Sequence, residues 1–116
     1  MNEEKIEKAN QKIEKVKSDI RQARDQHDQM ELDIGTSVKN IEIQLERDLL
    51  TQREYVFFME QLEMVKGIER NEAVEFQDYE YELRRIQNRL EEEKEYLEKE
   101  ENIRRINNVF AEFKHK

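Results

Sequence analysis

The chain has 116 residues, 43% of them charged and 35% apolar, with no proline, tryptophan or cysteine. That is room for one domain, but too little apolar material for an ordinary globular core, which leaves long helices or disorder; disulfides and thiolate chemistry are excluded. A formal charge of −8 opposes binding of nucleic acid.

The first element decides for helix. Ile6, Ala9, Ile13, Val16, Ile20, Ala23, His27, Met30 and Ile34 step alternately by three and four residues. Steps averaging 3.5 residues keep a stripe on one side of a helix, the seam of a coiled coil, and such a seam requires another helix against it. The lysines interleaved with it alternate with Glu and Asp, the pattern of a solvated face. The N-terminus lacks the apolar core of a signal peptide, and no stretch approaches a membrane span. A cytoplasmic location is therefore expected, with any export, alone or with a partner, by a route that reads no such signal.

Two glycines punctuate the chain. At Gly35 the stripe changes phase through Met30, Ile34, Val38 and Ile41, either a kink or a stutter that a helix passes through. Gly67 follows the dense apolar run from Tyr55 to Val65. As a left-handed residue it would end the helix, and Asn71 would cap the next. The predicted fold is thus all-α: a single domain over residues 1–116, a long antiparallel helical hairpin or coiled coil. Helix one spans about 3–66, a turn at Val65, Gly67 and Asn71 occupies 66–71, and helix two spans about 72–113. Thr51-Gln52-Arg53-Glu54 has the form of a capping box with a Leu50–Tyr55 staple. With no loop residues before it, it is assigned to the helix interior.

Helix two carries Phe76, Tyr79, Leu83, Ile86, Leu90 and Leu97, after which the stripe shifts to Ile103, Ile106, Phe110 and Phe113. Folding about residue 69 leaves about the first 24 residues without an intrachain partner, roughly 35 Å of seam. Ile6, Ile13, Val16 and Ile20 then become candidate partner-binding residues. A second set, Ile43, Leu50, Phe57 and Met64, lies roughly 130° around helix one from its seam at 100° per residue. Val74 and Tyr81 lie opposite the seam of helix two. Two helices cannot bury both sides, so these six residues call for a third helix.

Chemistry is scarce. Glu112-Phe113-Lys114-His115 matches a di-iron Glu-x-x-His pattern once, where two are needed. His27, between Asp25 and Asp28, has no histidine neighbour and reads as a polar seam position that pairs with an acid. No phosphate loop, activated nucleophile or calcium loop is present. No metal, cofactor or enzymatic activity is expected.

With Val65-Lys66-Gly67 read as the turn, the layout resembles the WXG-type hairpin proteins of bacterial type VII secretion, valine replacing tryptophan. The run Arg53 to Arg85, with Phe57-Phe58, Phe76 and a Glu/Lys-rich tail from Leu90 to Glu101, resembles the small helical proteins encoded beside LXG toxins. The resemblance implies a targeting factor or chaperone that binds the N-terminal helical domain of a cognate toxin, with or without a second small helical protein. It also makes Tyr96 and Glu100, a Tyr-x-x-x-Glu match, a candidate export signal. The alternative is a structural coiled-coil homo-oligomer, a homodimer or larger scaffold component.

Overall fold

The computed structural model describes residues 2–114. It contains two helices, α1 (Asn2–Leu45) and α2 (Gln52–Lys114), and no strand among the described residues. Neither helix is long and apolar enough to cross a membrane. The helices contribute to two compact units: a terminal unit, holding the residues up to Ile20 and from Tyr81 onward, and a turn unit, Arg21–Glu80.

The terminal unit is the better packed. Its α1 seam buries Ala9, Ile13, Val16 and Ile20, and its α2 seam buries Leu83 and Leu97. Val16, Ile20 and Leu83 form one cluster, with Leu90 against it. Each Val, Ile or Leu side chain so withdrawn from water stabilises the hairpin by about 1.5–3 kcal/mol, and Ala9 by less. The direction is antiparallel: Asn2, itself buried, donates from Nδ2 to Glu100 Oε2 at 3.3 Å, and Arg105 reaches Glu3 at 3.3 Å.

The turn unit is antiparallel too, but it packs polar groups where the other packs aliphatic ones. Arg24 Nε donates to Glu80 Oε2 at 3.1 Å, and His27 meets Glu72 at 2.7 Å. Ile34 is its one buried aliphatic side chain among the described residues.

The turn falls at residues 46–51, not at 66–71. Thr51 is a working N-cap. The Glu54 amide donates to Thr51 Oγ1 at 3.1 Å, and the Thr51 amide donates back to Glu54 Oε1 at 3.4 Å. These are the two reciprocal bonds of a capping box. Leu49 turns the chain with φ 65°, a left-handed conformation usually given to glycine. Val65, Gly67 and Asn71 instead lie within α2, and neither glycine has a positive φ. Helix one accordingly stops at Leu45, and helix two starts at Gln52. A glycine inside a helix costs only about 1 kcal/mol relative to alanine. Turning at 46–51 buries Ala9, Ile13, Val16 and Ile20, which a turn at 66–71 would have left bare, so tertiary burial outweighs the local signal. Gly35 likewise sits within an uninterrupted α1.

Moving the turn by some twenty residues inverts the overhang. The N-terminal seam is covered within the chain, whereas every described residue from Asn102 onward is exposed.

Candidate functional site

Around the turn, the turn unit presents apolar side chains that nothing covers. Leu49 is 98% exposed, and Ile43, Tyr55, Val56, Phe57 and Met64 are each about half exposed. Local folding explains each placement. The capping box starts α2 one residue after Thr51, which sets the phase of all that follows. Phe58, Leu62, Val65 and Phe76 then turn toward α1 and are partly covered. At 100° per residue, Phe57 and Met64 fall beside that seam, and Val56 and Val74 fall roughly opposite it. Phe57 and Phe58 meet edge to face with ring centroids 5.4 Å apart. Val56 and Met59 form a shallow outward groove with Tyr55, edged by Glu60 and Glu63.

The sequence-predicted contact residues divide accordingly. Phe57, Met64 and Val74 are exposed on α2 within the turn unit, and Ile43 is exposed on α1. Leu50 lies in the loop, partly covered, so the seven-residue series from Ile43 to Met64 does not run along one helix. Tyr81 is exposed but belongs to the terminal unit. Ile13, Val16 and Ile20 are buried, and Ile6 is partly so. Their seam is occupied by α2 and is not a free surface. Leu49, Val56 and Met59 were not singled out from the sequence. The angular position of Val56, opposite Phe58, Leu62 and Val65, was a usable signal; a left-handed leucine carries none.

The surface is acidic. Between Gln52 and Glu80, α2 carries eight carboxylates, of which Glu72 and Glu80 are engaged by α1, against Arg53, Lys66 and Arg70. An incoming helix of complementary charge would bring lysine or arginine to its rim.

The second built feature is His27. Its ring stacks on Phe76, with centroids 4.1 Å apart and planes 7° from parallel. Nδ1–H donates to Glu72 at 2.7 Å, and Nε2 lies 3.1 Å from Glu31. The hydrogen bond to the Glu72 carboxylate raises the His27 pKa above its ordinary value; partial burial opposes this, and the charges of Glu72, Glu31 and Asp28 reinforce it. His27, Asp28 and Glu31 are also the residues that could share a divalent ion, each bringing one ligand atom to within 4.8 Å of the others. Both ring nitrogens are already engaged by carboxylates, so the arrangement suits an imidazolium that pins α1 to α2.

Tyr96 is 66% exposed, and Glu100 accepts the Asn2 amide bond. His115, the last residue of the Glu-x-x-His match, lies outside the described residues. The Val65-Lys66-Gly67 turn on which the WXG-type layout rested is helical here, as is the whole stretch from Phe57 to Phe76. Comparison with protein-family models, with curated proteins and with solved structures finds no match to this chain.

Proposed function

We propose that this protein is a non-catalytic helical partner, which docks an amphipathic helix of another protein on the exposed apolar surface of its turn unit. The observation that carries this is the exposure of Leu49, Tyr55, Val56, Phe57 and Met64 within one stretch of the turn unit, Tyr55 and Val56 lining one groove with Met59, on a chain otherwise dominated by charge. A contiguous exposed apolar groove with a polar rim is a mark of an interaction surface. The backbone at Leu49 adds to it, since a left-handed turn position usually given to glycine here carries a leucine side chain that is 98% exposed. The acidic rim selects a client helix with basic flanks.

The client proposed, on the sequence resemblance, is the N-terminal helical domain of a cognate LXG-type toxin, held for type VII secretion. Co-expression with the toxin domain of the same locus, followed by co-purification, tests it. A stable complex weakened at least tenfold by Phe57→Glu and Val56→Glu is expected. Failure to co-purify would remove the toxin as client. Undiminished binding by both variants would remove the surface.

A further inference from the structure

Beyond Leu97, α2 carries a stripe with no place in the hairpin. The residues facing α1 in the terminal unit include Leu83, Leu90 and Leu97, each seven apart, and the next in phase would be Arg104. The apolar residues are instead Ile103, Ile106, Phe110 and Phe113, turned roughly 100–180° away from that position at 100° per residue. They are 59%, 55%, 63% and 81% exposed, and Val109 beside them is 63% exposed. A continuation of α1 would not meet this face.

We propose that its occupant is the same segment of a second copy, packed antiparallel about a twofold axis beside Asn108. The steps between the four residues are three, four and three, so the stripe reads alike in both directions. Laid antiparallel on itself, it places Ile103 over Phe113 of the second copy and Ile106 over Phe110, two layers that each recur by symmetry. The flanks are also self-complementary. On one side Asn107 meets its own counterpart, and Lys114 falls opposite Glu100 of the second copy, giving two ion pairs per dimer. On the other side Val109 meets Val109, which accounts for an apolar residue outside the main stripe.

No acidic residue lies between Asn102 and Ala111, so two copies of an acidic protein meet there without carboxylates in opposition. Arg104 and Arg105 point to Glu101 and Glu3 at 3.9 and 3.3 Å and stay outside the contact. Glu100 holds Asn2 through Oε2, leaving Oε1 for Lys114. Side chains of this size cover roughly 500–700 Å² per copy, somewhat below the about 800 Å² of a standard interface, so association depends on concentration.

Sedimentation equilibrium of the full chain from low to several hundred micromolar tests this directly. A monomer–dimer equilibrium is expected. Phe110→Glu should weaken it at least tenfold with the far-UV circular dichroism unchanged, since Phe110 is 63% exposed. Glu100→Lys and Lys114→Glu should each weaken it a few-fold, and the double variant should recover most of the loss. A monomer at every concentration overturns the proposal. So does a dimer indifferent to Phe110→Glu, or a double variant no better than either single one. Phe110-dependent binding to anionic vesicles by a monomeric protein would assign the face to a membrane instead, and would overturn it too. Phe57→Glu should leave the dimer intact, so this proposal and the client-docking surface can fail separately.

Discussion

The terminal and turn units are built from the same two helices yet solve the interface differently. In the terminal unit, aliphatic residues meet across the seam, and Val16, Ile20, Leu83 and Leu90 pack as a continuous strip. In the turn unit the equivalent place is held by an imidazole stacked on Phe76 and paired with Glu72, while Tyr55, Val56, Phe57 and Met64 face solvent. Aliphatic seams are strong but can re-form after a slip of a whole heptad; a partly buried polar pair is weaker but has a single good alignment. The contrast teaches a division of labour, in which one unit supplies cohesion and the other supplies register and an outward apolar surface.

The sharpest way to break that contrast is to truncate the seam in each unit. Ile20→Ala should cost about 2–4 kcal/mol, as expected for a buried aliphatic residue, whereas Met30→Ala, already 42% exposed, should cost under about 1 kcal/mol. Urea unfolding followed at 222 nm measures both. Equal losses would mean that the two units are equally packed.

Register should respond to pH. The folded-state pKa of His27 lies above its ordinary value of about 6.5, so its pairing stabilises fully below that value. The contribution is then lost as pH rises through the raised folded value. Melting temperature should therefore fall with rising pH across that window, and His27→Gln should flatten this part of the profile. Replacing Glu72 by Gln, which removes the carboxylate at 2.7 Å, should shrink the same slope. A slope untouched by either variant would dissociate His27 from the register of the turn unit.

Smaller effects locate the turn. Thr51→Ala removes the cap that starts α2 and should destabilise by about 1 kcal/mol. Gly67→Ala should stabilise by about 1 kcal/mol, because the added methyl meets only Arg70 Nη2 at 3.9 Å and the backbone there is helical. Were 66–71 the turn, Gly67→Ala would destabilise instead, and Thr51→Ala would be nearly neutral.

Much of the architecture is legible in the chain itself. The alternating steps from Ile6 to Ile34 determine that the protein is helical and which face of α1 is buried, because a period of 3.5 residues has no other packed solution. Phe57, Met64 and Val74 fall outside the seams by angle alone, so their exposure follows from helix geometry. Even the turn left a mark in Thr51-Gln52-Arg53-Glu54, hidden because a leucine at φ 65° stands where a glycine would have announced it.

Which of two weak local signals became the turn was decided only by tertiary structure. A helical glycine and a capping box are each worth about 1 kcal/mol, so neither prevails alone. Burying four more aliphatic seam residues of α1 is worth several times that, and this gain exists only once α2 lies beside them. The same long-range choice covered the N-terminal seam and left Ile103 to Phe113 bare. Local propensity proposes boundaries, and shared burial selects among them.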